Sequence, residues 1–411
     1  MPLPVNKVSL RYWPRQTVRR LRAWLKRRCL RQLNAIAVTG SCGKTSAATY
    51  LNRILSLSSQ GKTHAGIINN ELNGIMRSMR HLRSEHRYYV QEVSGHEPGH
   101  LRLSLPLVKH QVGIVTTVGL DHYTTFRTRE AVAEEKGWMV EMLPKSGVAV
   151  LNADDPHVAA MASRTRARVI TYGLSAGTDV QATDVSSVWP DRLTFTVSCQ
   201  GESKRIETQL FGDILLPSVL ASISGALALG VPLAACAEAL QGVEPVFGRL
   251  SVHRISNGVW FVFDFKGVHW TFDKVFELVR QARAPRITMV FGSVSDTSGD
   301  SSKRYRQIAK RALSMADRVI WVGDRSSHVT KLITAENQDR LFTFDQVEEA
   351  AAFLKMNPVE DELVIIKSAN AQHLERLIWA QDNELLCWKN KCPLVIHCQN
   401  CPRSGLVEQA S

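Results

Sequence analysis

The ten residues from Ile36 to Thr45, Ile-Ala-Val-Thr-Gly-Ser-Cys-Gly-Lys-Thr, constrain this chain more than any other stretch. A β-branched and apolar run, Ile36 to Thr39, enters a loop of small residues. The loop delivers a lysine and a hydroxyl to a helical run, Thr45-Ser46-Ala47-Ala48-Thr49-Tyr50-Leu51. Strand, glycine loop and helix in that order make a phosphate cradle. Glycines let backbone N–H groups turn inward, the helix N-terminus adds its positive end, the lysine adds a point charge, and the hydroxyl can ligate magnesium. Gly40, Ser41, Cys42, Gly43, Lys44, Thr45 and Ser46 are therefore candidate triphosphate-binding residues. The form is Thr-Gly-x-x-Gly-Lys-Thr, with Val38 where the first glycine of the longer G-x-x-x-x-G-K-[ST] pattern falls. An ordinary β–α turn with an exposed lysine is the competing reading.

At 411 residues the length allows roughly two to three domains. The net charge of +13 is unevenly spread. Residues 1–33 hold ten basic side chains and no acidic one, leaving 41 basic against 38 acidic residues in the rest. The body is nearly neutral, so the global charge is no argument for nucleic-acid binding. Val18, Leu21, Leu25, Cys29 and Leu33 fall on one side of a helical wheel, with arginines around most of the remainder. Such a helix lies on an anionic membrane or grips an acidic partner, or else packs its stripe on the domain that follows. No apolar run is long enough to span a bilayer, and the N-terminus lacks a secretory pattern. With Cys29, Cys42, Cys199 and Cys236 scattered, this predicts a cytoplasmic protein, and residues 15–33 are the candidate for peripheral membrane or acidic-partner contact, with packing on the domain as the competing reading.

Four further cysteines, Cys387, Cys392, Cys398 and Cys401, crowd the C-terminus in a C-x4-C-x5-C-x2-C spacing. Four thiolates can close a tetrahedral shell around zinc. The competing reading is reduced cysteines in a loose tail.

From Ala35 onward, strand-like runs alternate with helical periodicity, which argues for α/β architecture with mostly parallel sheets. Strands are expected at 88–93, 112–118 and 147–151, a helix at 128–143, a strand-rich excursion at 167–212, and a helix at 216–229. A second α/β unit begins near Pro245, with strands at 260–265, 287–291, 318–323 and 363–367. The divisions are a basic segment (1–34), a central domain (35–244), a C-terminal domain (245–385) and a Cys-rich tail (386–411).

Thr39-Gly-Ser-Cys-Gly-Lys-Thr45, Gln91-Glu92-Val-Ser-Gly-His-Glu-Pro-Gly99 and Gly113-Ile-Val-Thr-Thr-Val-Gly-Leu-Asp121-His122 resemble successive motifs of the Mur ligases. So do Lys136, the run Gly147 to Pro156, and Phe247-Gly-Arg249. The form looks most like the branch that adds D-alanyl-D-alanine. The resemblance implies a P-loop central ATPase domain and a smaller Rossmann-like C-terminal domain. It also implies an ATP-dependent ligase joining a carboxylate to an amine through an acyl phosphate.

Carried over residue by residue, Lys44 would hold the β- and γ-phosphates. Thr45 and Glu92 would hold a first magnesium ion, and His122 and a carbamylated Lys136 a second. Asn152 and Asp155 would lie near the nucleotide, which Arg249 and Asp264 would approach from the C-terminal domain. Three departures stand out. Only 34 residues precede Ala35, so the expected acid is not UDP-linked, as in poly-γ-glutamate and folylpolyglutamate synthases. Ile214-Leu-Leu-Pro-Ser218 replaces the adenine-contacting His-Asn-x-x-Asn. Asp264-Phe-Lys-Gly-Val-His-Trp270 replaces Asp-x-Tyr-Ala-His-Asn-Pro. A catalytically inactive nucleotide-binding scaffold is the alternative function.

Overall fold

The computed structural model describes residues 12–295 and 301–406. Lys7 and Arg11 of the basic segment and the end of the Cys-rich tail lie outside the described residues. The first sheet is built from β1 (Asn34–Thr39), β2 (Thr63–Gly66), β3 (Tyr88–Glu92), β4 (Val112–Val115), β5 (Val148–Asn152), β6 (Arg168–Gly173), β7 (Val180–Ser186), β8 (Thr194–Cys199) and β9 (Glu202–Glu207). Their order is β2-β3-β1-β4-β5-β6-β7-β8-β9, parallel as far as β7 and antiparallel across β8 and β9. β1 is buried from Ala35 to Thr39, as its near-continuous apolar run requires of a strand covered on both faces. The region 167–212 is thus an extension of the sheet rather than an excursion from it. The strand expected to run to Val118 stops at Val115. Beyond it, Thr116 Oγ1 donates to the Cys42 carbonyl at 2.5 Å, and Ser41 N donates to the Thr117 carbonyl at 2.8 Å. Those bonds turn the chain towards the glycine loop.

The second sheet contains β10 (Arg249–Arg254), β11 (Trp260–Asp264), β12 (Ile287–Phe291), β13 (Arg318–Val322), β14 (Leu341–Phe344) and β15 (Leu363–Lys367). Its order is β10-β11-β15-β12-β13-β14, parallel except at the β10–β11 edge. One cluster of buried side chains runs from Ile36 in the first sheet to Ile365 in the second. Trp189 lies edge-on to Phe211 and to Trp260, with ring centroids 5.2 and 5.5 Å apart, so aromatic packing ties the two sheets together.

Helix α1 (Tyr12–Cys29) packs on α3 (Leu72–Met79) and α4 (His100–Val108), and of the two readings of its apolar stripe, packing on the domain is not the one observed. Val18, Leu21 and Leu25 are 46%, 54% and 48% exposed, and Cys29 is exposed too. The buried face holds Ala23 and Arg27, and only Leu33 of the expected stripe is buried. Arg27 donates to the carbonyls of Val108 (2.9 Å), Lys109 (3.2 Å), Leu30 (3.0 Å) and Leu33 (3.1 Å). Two of those acceptors close α4, where a helix leaves carbonyls without partners and favours a cation. Nor is the Cys-rich segment loose. Cys401 is buried, Leu386 N donates to the Ser404 carbonyl, and Cys392 N donates to the Ala371 carbonyl, each at 2.9 Å.

Truncating Arg27 to alanine strands these carbonyls in a buried site and is expected to cost about 2 kcal/mol of stability. A urea unfolding curve measures this directly, and an unchanged midpoint would show that α1 is held by something else.

Candidate active site in the cleft between the sheets

At the carboxyl ends of β1, β3 and β4 the sheet opens onto a cleft of about 1340 Å³ whose far wall comes from the second sheet. That is larger than the roughly 300–1,000 Å³ of a single small-ligand pocket. Ligands of open α/β sheets bind at this end of the strands, where loops leave in opposite directions.

The glycine loop follows β1 and leads into α2 (Lys44–Ser58). Gly40 has φ +143°, and a Cβ there would sit 2.0 Å from Thr116 Oγ1; Gly43, at φ +81°, would place one 2.6 Å from Ser218 Oγ. Only glycine serves at either position. Lys44 Nζ donates to the Gly40 carbonyl at 2.6 Å, which folds the lysine back over the loop. Burial and the neighbouring Lys266 lower its pKa, while Asp121 and Glu92 work in the opposite direction.

Glu92 ends β3 fully buried and faces the start of α2. Its Oε2 accepts from Thr45 Oγ1 and from Ile68 N, both at 3.1 Å, and its Oε1 accepts from Asn70 Nδ2 at 2.8 Å. A hydroxyl and a carboxylate in contact beside a phosphate loop form the hard-oxygen donor set that suits magnesium.

Asp121 lies deeper and is 2% exposed. Lys266, from the loop after β11, places its Nζ 3.5 Å from Asp121 Oδ1, and His122 Nε2 lies 3.8 Å from Oδ2. Burial opposes the charge on Asp121. Lys266, Lys44, His122 and Lys136 outweigh it and hold the carboxyl down to about 2. Lys136, in the helix Arg129–Glu141, is 1% exposed; burial first, then Lys44, pushes its ammonium down to about 7. An amine near neutrality retains a large uncharged fraction, which is the form that adds carbon dioxide.

The other expected residues are placed differently from one another. Asn152 donates from Nδ2 to the Thr116 carbonyl and accepts at Oδ1 from Asp154 N, both at 3.0 Å. Asp155 caps the short helix Pro156–Ala159 through His157 N and accepts from Val118 N at 2.7 Å. Both line the cleft while their polar atoms are engaged with backbone, so they shape its wall. Asp264 is likewise engaged, accepting from the buried Lys367 Nζ at 2.5 Å and from Lys266 N at 3.1 Å. Arg249 lines the cleft with its guanidinium 4.1 Å from the Phe265 ring centroid. Lys136 and Gly40 sit behind the cleft surface rather than on it. Ile214, Leu215, Leu216 and Pro217 give the wall an apolar face beside the loop.

Several cleft residues carry no role from the motifs. Asp121 was visible only as the neighbour of His122. Lys266 occupies the third position of the altered Asp264 motif, so its reach across to the first sheet has no local signal. Trp270 Nε1, Asn370 Oδ1, His397 Nδ1 and Gln399 Oε1 line the cleft, buried and without a hydrogen-bond partner among the described residues.

Residues 38–226 match the model of the Mur ligase middle domain, and residues 248–370 that of the Mur ligase glutamate ligase domain. The chain belongs to the Mur ligase family. Similar proteins include the UDP-N-acetylmuramoyl-tripeptide–D-alanyl-D-alanine ligase of Mycobacterium bovis, 31% identical over 233 residues, covering 56% of this chain and 46% of that protein. The chain therefore spans about half the length of the curated relatives it matches. Among solved structures, MurF from Acinetobacter baumannii superposes with a TM-score of 0.80 at 22% identity, covering 89% of this chain and 80% of that one. MurF ligase from Thermotoga maritima, in complex with ADP, gives 0.76 at 19% identity, covering 89% and 83%. At those identities the structures establish the shared Mur ligase fold.

The lowered pKa of Lys136 has a definite sign. Between about 7 and its unfolded value near 10.4 the unfolded chain binds the extra proton, so this residue's contribution to stability rises with pH. In carbon-dioxide-free buffer, the stability difference between wild type and Lys136→Met should stay flat below pH 7 and shift in favour of wild type towards pH 10. Parallel profiles in urea titrations would contradict the placement.

Proposed function

We propose that this Mur ligase family member activates a carboxylic acid with ATP and joins it to an amine. The convergence of Lys44, the Thr45–Glu92 pair, Asp121 and Lys266 on one cleft, with the near-neutral Lys136 just behind its surface, carries the reading. A carboxylate is a poor electrophile because its charge is delocalised. In the first step its oxygen attacks the γ-phosphorus, the bond to the β-phosphate oxygen breaks, and ADP leaves. The amine then attacks the acyl carbon, loses a proton and expels phosphate.

The first step drives an anion against a polyanion. Preorganised cations in a water-poor site are the effective remedy. Lys44 would draw the β- and γ-phosphates onto the loop, and Lys266 and Arg249 would approach from the other wall. Thr45 with Glu92, and His122 with carbamylated Lys136, would hold magnesium, which supplies charge neutralisation at the phosphates. The apolar face from Ile214 to Pro217 would hold the adenine ring by contact rather than by hydrogen bonds. For the acid we propose a substrate without a UDP carrier, a choice that the two arms of the test below decide.

The test supplies ATP, magnesium and an ¹⁸O-labelled acid with its amine. One arm is a γ-glutamyl peptide with glutamate; the other is UDP-muramoyl tripeptide with D-alanyl-D-alanine. Transfer of one ¹⁸O to phosphate is expected in the first arm alone, falling at least ~100-fold in Lys44→Ala or Glu92→Gln. Turnover with the UDP-linked acid would overturn the substrate assignment, and undiminished turnover in Lys44→Ala would overturn the mechanism.

We also propose that α1 rests on an anionic membrane surface. No helix among the described residues is long and apolar enough to cross a membrane. Val18, Leu21 and Leu25 nevertheless face outward, flanked by the exposed Arg19, Arg22 and Arg28. Apolar contact plus attraction to acidic lipid is the binding mode of such a helix. Co-sedimentation with phosphatidylserine vesicles should fall several-fold in a Leu21→Ser, Leu25→Ser variant and at high salt. Equal recovery with neutral vesicles would rule the contact out.

A further inference from the structure

We propose that Cys387, Cys392, Cys398 and Cys401 bind one zinc ion, and that this ion fixes the loop 393–400 as a wall of the cleft. All four cysteines are free and line a single cavity of about 20 Å³. That is close to the space one water-sized group needs. The segment around them is tied down by scattered hydrogen bonds, with no strand or long helix of its own among the described residues. Beyond the helix Arg376–Asp382 the described chain forms only two single turns, Cys398–Asn400 and Pro402–Ser404. A metal staple adds most to a small irregular segment of this kind.

A second, independent observation points to an anionic centre. Arg376 is 2% exposed on the wall of the same cavity. Its guanidinium donates to the carbonyls of Cys387 (3.0 Å), Lys389 (2.7 Å), His373 (3.0 Å) and Gln372 (2.8 Å). Among the described residues it forms no ion pair. A buried cation without a counter-ion is costly. Binding of zinc by four thiols releases four protons to solvent and leaves a centre of net charge −2, which supplies that counter-ion.

The cluster drawn closest together, His373, Glu375 and Cys398, is a weaker candidate. Its ligand atoms lie within 4.8 Å of one another. However, His373 Nδ1 is paired with Glu375 Oε1 at 2.8 Å and its Nε2 with the Leu394 carbonyl at 3.0 Å, so neither ring nitrogen is free. The four sulfurs are more widely spaced than in a bound tetrahedron, and they would turn inward to reach about 2.3 Å from the metal.

The consequence for the cleft follows from chain order. Val395, His397 and Gln399 line it, and they fall between Cys392 and Cys401. His397 meets the Phe247 ring edge-on at 4.8 Å, and its Nδ1, like Gln399 Oε1, is a buried atom without a partner among the described residues. A stapled loop holds these two polar groups ready for a ligand.

Metal analysis of the purified full chain should find about one zinc per molecule. A Cys392→Ser, Cys398→Ser variant should lose it, and Cys29→Ser should keep it. Should the double variant fail to fold, wild type loaded with cobalt(II) still decides, since four thiolates give intense sulfur-to-cobalt charge-transfer bands. Hydrogen exchange at 393–400 should accelerate when the metal is chelated. Wild type that takes up no zinc, a double variant that retains it, or a cobalt spectrum without thiolate bands would overturn the proposal. None of these readouts depends on ligase activity.

Discussion

The buried carboxylate of Asp121 is the interaction on which the site depends. Three lysines, Lys44, Lys136 and Lys266, come from the glycine loop, a helix of the first domain and the second sheet. Ammonium groups gathered away from water repel one another, and in a low-dielectric setting that repulsion is large. Asp121 offsets it at the centre of the group, and the near-neutral Lys136 relieves the remainder. A bound triphosphate brings more negative charge than one carboxylate. The frame is thus poised for a polyanion, and Lys44 folded back on Gly40 is its resting position.

The fold brings this frame together at the ends of parallel strands. Glu92 ends β3, the glycine loop leaves β1, and the chain beyond β4 carries Asp121 and His122. Lys266 and Arg249 come from the second sheet, so the site is complete only where the two sheets meet. The continuous apolar core between them, with Trp189 against Trp260, holds that meeting point in register. Packing far from the chemistry therefore sets distances within it.

Much of this was legible in the chain, for local reasons. β1, the glycine loop and α2 announce themselves through a buried apolar run, two glycines and a helical start. The ordered series of motifs, with Glu92, His122 and Lys136, then pointed to one cleft. What escaped depended on contacts distant in sequence. The hydropathy of α1 left Leu21 and Leu25 either packed on the domain or facing a partner surface, and the helix docks instead through Arg27, because carbonyls at the end of α4 need a donor. Asn152, Asp155 and Asp264 line the cleft, but their polar atoms are committed to backbone or to Lys367. Lys266 sat in plain view as a mismatch in a motif, and only the arrangement of the two sheets reveals its partner.

A crystal structure with magnesium and a non-hydrolysable ATP analogue tests the electrostatic frame most directly. The account predicts the γ-phosphate between Lys44 and Lys266, with Lys44 withdrawn from the Gly40 carbonyl and magnesium held at Thr45 and Glu92. An analogue bound elsewhere, with Lys44 still on Gly40 and Lys266 still on Asp121, would contradict it.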